Sequence, residues 1–285
     1  MSKKNLGIIF MILFALSYSA MQCFISLTDV GVMQQIFVRN FMNMVVVLFL
    51  ILKKGGSLFG AKKYQPWLFA RDIFSFMGIT CLFCASRFNG NQADITILNK
   101  MSPFFITIFA SIFLKEKLSK IQIPALILAF TGAFFAAKPT YNADSLPLIL
   151  AFLSAITTGV SYTMLSYFKD KVDGLAVILH FSTFCVVASL PFMLYDFQLP
   201  TGMKLVTLLL VGVFGTLGQL FVTYAYRLAP ASEISIYNYS GILFSVIMGH
   251  FVLGQSVGLN SIIGGVIVTI ASVMVYMYNR SRVGA

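Results

Sequence analysis

Two cationic side chains stand deep inside long apolar runs: Arg39, within the run 31–52, and Lys100, within the run 91–114. A Lys or Arg at the centre of a bilayer costs about 2.5–3.5 kcal/mol on insertion scales, so such groups face a protein interior or a wet cavity. Lys100 lies about nine residues into its run, roughly 13 Å at 1.5 Å per residue, near the middle of a hydrocarbon core about 30 Å thick. Arg39 has a similar depth. The carboxylates are expected elsewhere: Asp94 near the outer end of the same run as Lys100, Glu233 near the inner end of a later run, and Asp72, beside Arg71, near the inner end of a third. Two costly positive charges with no acidic partner at their depth suit recognition of an anionic or zwitterionic solute. Bonding to backbone carbonyls or helix C-termini is the structural alternative.

Other polar side chains join them at helical spacing. Gln35, Arg39 and Asn43 form one stripe at i, i+4 and i+8. Thr96, Asn99, Lys100, Pro103 and Thr107 share neighbouring faces, with Pro103 expected to remove a backbone bond inside the helix and release a carbonyl. Tyr18, Ser19 and Gln22, then Ser154, Thr157, Thr158 and Ser161, then Thr216, Gln219, Thr223 and Tyr226, and finally Tyr237, Asn238 and Ser240 mark four further segments. Gly212, Gly215 and Gly218 read as a close-packing stripe. The candidate substrate contacts are Lys100, Asn99, Arg39, Tyr18, Gln219, Tyr237 and Asn238. The candidates for gating or coupling are His180, Asn43, Asp94 and Glu233. His180 is the histidine deep in a helix that could titrate near neutral pH, against a purely structural hydrogen-bonded role. His250, near the outer end of its run, reads as interfacial. Without a carboxylate at mid-depth no clear proton or sodium relay emerges, so exchange, facilitated transport and proton coupling stay open, with a proton or counter-substrate as a candidate partner.

Enzyme chemistry finds no footing in the same residues. There is no His-Glu-x-x-His and no Gly-x-Ser-x-Gly, and Tyr195-Asp196 lacks the second aspartate motif of an intramembrane aspartyl protease. Cys23, Cys81, Cys84 and Cys185 lie inside apolar segments with neither disulfide nor zinc spacing, so no metal and no cofactor is expected. A channel would want a continuous polar path, and a scaffold would leave the buried cations unexplained.

The elements that position these residues follow from composition. The 285 residues are 59% hydrophobic and 10% charged, where a soluble domain carries roughly 25% charged residues. The net charge of +11 is concentrated between apolar runs, which argues for topology signals and against a nucleic-acid partner. Ten runs reach the roughly 20 residues that span a bilayer, at about 5–27, 31–52, 67–87, 91–114, 120–138, 145–168, 174–196, 204–226, 231–252 and 259–279. The first, after Lys3-Lys4, exceeds the roughly 7–15 residues of a signal-peptide core and is expected to stay as a helix. With the N-terminus inside, 15 Lys and Arg fall inside and 3 outside (Arg87, Lys138 and Lys204), which predicts cytoplasmic termini and an even helix count. The lipid bilayer is therefore the first partner, and the oligomeric state is left open.

There is an internal repeat. Ala93-Asp94-Ile95-Thr96-Ile97-Leu98-Asn99 lies on Ser232-Glu233-Ile234-Ser235-Ile236-Tyr237-Asn238, and the register holds through Leu114-Lys115-Glu116 and Leu253-Gly254-Gln255. Five helices per half make the halves, 1–139 and 140–285, insert in opposite senses, a device of transporters. The short turn Phe88-Asn89-Gly90-Asn91-Gln92-Ala93, the step Leu114-Lys115-Glu116-Lys117-Leu118-Ser119 and the glycine-containing helix after it resemble the EamA-type ten-helix carriers of the drug/metabolite transporter superfamily over nearly the whole chain. Gln255 departs from the glutamate usual in that family, and His180 stands where the first half has Arg39. The resemblance implies an all-α membrane fold of ten helices and a central cavity lined by helices 1, 3, 4, 6, 8 and 9, with helices 2 and 7 helping to gate it. It implies a transporter without implying a substrate, and with the buried charges the expectation is an alternating-access carrier of a small polar, anionic or zwitterionic, metabolite in a cell (inner) membrane. A multidrug or amino-acid exporter of the same fold and an intramembrane enzyme are the competing readings.

Overall fold

The computed structural model describes residues 2–58, 60–87, 98–137, 145–254 and 258–281, and these form helices with short connections and no strand among them. Ten helices of 12 residues or more occur among the described residues: α1 (Lys3–Leu27), α2 (Val32–Lys54), α3 (Gln65–Arg87), α4 (Ser102–Phe113), α5 (Gln122–Ala137), α6 (Ser145–Tyr167), α7 (Gly174–Tyr195), α8 (Met203–Leu228), α9 (Ser240–Leu253) and α10 (Leu259–Ser281). Six of them (α1, α2, α3, α6, α7 and α8) are long and apolar enough to cross a membrane, and α4, α5 and α10 hold shorter apolar stretches.

Local chemistry sets the ends. Ser2 accepts a hydrogen bond from the Asn5 N–H at the start of α1. Gly55, at φ +70°, closes α2 in the left-handed conformation that a side chain disfavours, behind Lys53 and Lys54 in the last turn. Two of the expected runs are broken rather than continuous. Leu98 and Asn99 are helical and Lys100-Met101 is a turn from which α4 starts, and Ala231–Ile234 is a single α-turn followed by a 3₁₀ stretch, Ser235–Tyr239, before α9. Pro103 therefore sits in the first turn of α4, where its missing N–H has no intrahelical partner to lose, and not at a mid-helix kink.

The packing repeats with a shift of five helices. α1 lies on α8 as α6 lies on α3, and α1 touches α9 as α6 touches α4, while α2–α7 and α5–α10 pair each helix with its own counterpart. Many polar residues point inward, beside a buried apolar core, and many large apolar ones point outward. Arg71, Asp72, Gln34, Asn40 and Thr107 are almost wholly buried, whereas Phe49, Leu52, Phe113, Val187 and Leu209 lie exposed. The exposed apolar residues leave a surface for lipid tails to cover.

The Leu-Lys-Glu-Lys-Leu-Ser step ties the two halves together at one end. Lys115 takes φ +55°, and the Glu116 carboxylate accepts the N–H groups of Ala231 (3.2 Å) and Ser232 (2.9 Å), the first free donors of the broken ninth segment. Gln122 donates to the Ser232 carbonyl at 3.0 Å, and Lys4 pairs with Glu233 beside them. Capping substitutions cost about 0.5–2 kcal/mol, so Glu116→Ala should lower stability by about 1–2 kcal/mol, with Glu116→Gln in between. Thermal unfolding of the detergent-solubilised variants measures it, and an unchanged midpoint would show that the junction holds nothing.

Candidate functional site

The cavity lies where the two breaks meet α1, α3 and α6. Phe14 and Tyr18 line it from α1, Arg39 from α2, Arg71 and Ser75 from α3, and Asn99, Lys100 and Ser102 from the first break. Ser161 and Tyr162 reach it from α6, Phe181 from α7, Gln219 from α8 and Asn238 from the second break. Asn99 and Asn238, which align with each other in the sequence, thus both reach the cavity from beside a break. Both breaks border this hollow, and non-helical backbone at membrane depth is tolerated where it is buried in protein or lines a cavity.

Lys100 stands in the turn and not within a helix, and Gly241 makes room for it. A Cβ at Gly241 would lie 3.2 Å from the Lys100 ammonium. Arg39 is 7% exposed and lies across Gly215, where a Cβ would come within 2.7 Å of its side chain. Gly215 is therefore a seat for the guanidinium, beyond the helix packing expected of the glycine stripe. Neither Lys100 nor Arg39 has a hydrogen-bond or ion-pair partner among the described residues, and Arg39 Nε is a buried donor left unmatched there. An unmatched buried cation is expensive, so the arrangement asks for an anion. The space open to the centre of a water molecule is only about 60 Å³. One water needs about 10–15 Å³ of such space, so this conformation holds a few waters, and a metabolite enters only if helices part.

The remaining expected residues distribute as follows. Gln35 donates to the Val30 and Thr28 carbonyls, and Asn43 donates to the Ser182 hydroxyl at 2.8 Å, so within that stripe only Arg39 reaches the cavity. Tyr18, Gln219, Asn99 and Asn238 line the hollow, with Asn99 also donating to Ser154 at 3.2 Å. Tyr237 is buried in the apolar core beside the second break and is not among the lining residues. Glu233 is held by Lys4 at the end of α1. Asp94 lies outside the described residues.

Sequence reasoning missed a cluster next to the cavity. Helix α3 begins at Gln65, so Arg71 and Asp72 are about two turns inside it and are 1% and 0% exposed, not flanking charges at its inner end. Arg71 donates to Asp72 Oδ1 at 3.1 Å and lies 4.4 Å over the Phe181 ring, with its Nε unmatched among the described residues. Asp72 Oδ2 meets His180 Nδ1 at 2.5 Å, and His180 Nε2 meets Gln65 Oε1 at 3.1 Å. A buried carboxylate thus exists beside the cavity, partnered by Arg71 and His180. The adjacent opposite charges Arg71-Asp72 inside an apolar run were the available signal.

Comparisons with known proteins agree with this architecture. The EamA-like transporter family matches the chain twice, over residues 5–137 and 145–277. The pseudopaline exporter of Pseudomonas aeruginosa is 24% identical over 271 residues, covering 94% of each chain. The S-adenosylmethionine uptake transporter of Rickettsia felis is 24% identical over 254 residues, covering 86% of this chain and 83% of its own. A crystal structure superposes with a TM-score of 0.81 at 13% identity over 99% of both chains, which establishes the shared fold. With helices apolar enough to span a bilayer, a polar hollow among them and two family matches that cover most of its length, the chain belongs to the EamA-like transporter family and is a multi-pass membrane transporter of small metabolites.

Proposed function

We propose that the protein is an alternating-access carrier of small polar metabolites bearing negative charge, anionic or zwitterionic, in the cell (inner) membrane. Ten helices cross the bilayer as two inverted halves, 1–139 and 140–285, with both termini in the cytoplasm. The observation that carries the reading is the pair Arg39 and Lys100, cations without a described partner that face one hollow between the halves. The shift-by-five packing, the two matched breaks and the double family match support the repeat.

Contacts at the two ends support the topology. Lys4–Glu233, Glu116 on Ala231 and Ser232, and Lys54–Asp173 gather at one end, rich in Lys. Lys204–Asp29 and the Gln34–Gln198 bonds gather connections expected on the opposite side. Arg71 leaves the tally of flanking charges, and the inside excess stands without it. Relatives at the same 24% identity are named as an exporter and an uptake transporter, so one architecture serves either direction.

Reconstituted protein tests the reading by counterflow. Preloaded carboxylates should drive saturable uptake of the labelled solute, faster for anions than for neutral or cationic analogues. Non-saturable flux would indicate a channel, and chemical conversion of the solute an enzyme.

A further inference from the structure

We propose that His180 and Asp72 form a proton-binding site linked to the anion cavity through Arg71, so that a proton and the anion are carried together. The inference rests on the anion-carrier reading and adds the coupling ion to it.

Asp72 is one carboxylate with two claimants. Oδ1 holds Arg71 at 3.1 Å and Oδ2 meets His180 Nδ1 at 2.5 Å. Arg71 has two allegiances in turn: it bonds Asp72, and it lines the cavity with an Nε that no described residue satisfies. With His180 neutral, its Nδ1–H donates to Asp72 and the Arg71–Asp72–His180 group carries no net charge. A proton from water adds to the Nε2 lone pair, and the new Nε2–H donates to Gln65 Oε1, 3.1 Å away. The group then carries one positive charge. The imidazolium takes a larger share of Asp72, which loosens the hold on Arg71 and turns that guanidinium toward the cavity.

The surroundings set the sign. From α2, Arg39 faces the same interior; from α3 come Arg71 and Gln65; from α6, Tyr162; and from α7 itself, the buried Cys185. From α8, Arg227 packs on Gly174 at the start of α7, less than two turns before His180, and donates to the Val172 carbonyl. Phe69 stacks edge-on against His180 at 4.7 Å and excludes water from that flank. The titratable neighbours are thus mainly cations, so an empty cavity opposes the added proton. An anion between Arg39 and Lys100 removes that opposition. Linkage is reciprocal: if the anion raises proton affinity, the proton raises anion affinity by the same factor. Proton and anion bind the same form, which makes their movement a symport. The proton is returned from Nε2 to water when the anion leaves on the other side.

Two measurements test this with intact protein. The first is binding of 1,2-ethanedisulfonate, which stays fully ionised between pH 5.5 and 8, alongside succinate, by thermal shift and calorimetry. Affinity for the disulfonate should rise at least tenfold from pH 8 to pH 5.5 in the wild type and in His250→Gln, and should be flat in His180→Gln. In weak buffer the wild type should take up a proton as the anion binds. The second is transport of bound anions into liposomes. An imposed pH gradient should drive accumulation by the wild type. His180→Gln should lose that accumulation while keeping counterflow, which needs no net proton movement. A merely structural histidine would lower both together. Binding with no pH dependence, or a His180→Gln protein that still accumulates against a gradient, overturns the proton site and leaves the carrier intact. No binding or counterflow of any anion overturns both.

Discussion

Replacing Lys100 by Met should cut anion transport at least about 30-fold in kcat/KM while leaving the thermal midpoint of the solute-free protein unchanged or higher. The two signs come from one fact. In the free protein the ammonium has no described partner beyond the polar hollow, and an unmatched charge in a low-dielectric site is a cost that an apolar side chain of similar length removes. In the complex it would meet the solute's negative group. Truncating one member of a buried charge pair costs about 2–5 kcal/mol, and each 1.4 kcal/mol is a factor of ten. Lys100→Arg keeps the charge, but Gly241 leaves little room for the broader group, so partial activity is expected. Counterflow and unfolding measured on the same preparations decide the matter. A structural lysine predicts falls in both quantities, whereas a substrate contact predicts that they part.

This opposition between stability and activity also marks what the sequence could reveal. Insertion cost alone singles out Arg39 and Lys100, because hydrocarbon makes isolated charges conspicuous wherever they stand. Apolar length locates the helices, and the matched polar positions around Asn99 and Asn238 are what suggest the proposed repeat. The breaks were not visible. Nothing in Leu98-Asn99-Lys100-Met101 or Ile236-Tyr237-Asn238 breaks a helix by propensity, and Pro103 read as a kink because its place in the first turn depends on where α4 begins. The halves must also be docked before it is clear that Asn238 faces the hollow while its neighbour Tyr237 turns into the core. Arg71 and Asp72 were hidden for another reason. Successive residues on a helix point to different faces, so one lines the cavity and the other reaches α7, and the partner that defines Asp72 is 108 positions away.

That cluster should give the largest stability effect in the protein. Asp72→Ala strips a guanidinium that is 1% exposed of its ionic partner, and orphaning a buried charge costs about 3–5 kcal/mol. His180 can answer the same loss by staying neutral; Arg71 cannot, since guanidinium does not release its proton. Most of the penalty therefore belongs to Arg71, and removing Arg71 as well should recover it. Arg71→Met combined with Asp72→Ala should unfold within about 1–2 kcal/mol of the wild type, giving a coupling energy of at least about 2 kcal/mol in a double-mutant cycle. The stabilised double variant should still transport poorly, because the guanidinium that faces the hollow is gone. If the single Asp72→Ala protein proves as stable as the wild type, Arg71 must find another acceptor or bulk water, and the buried Arg71–Asp72 pair could not be what holds this part of the protein together.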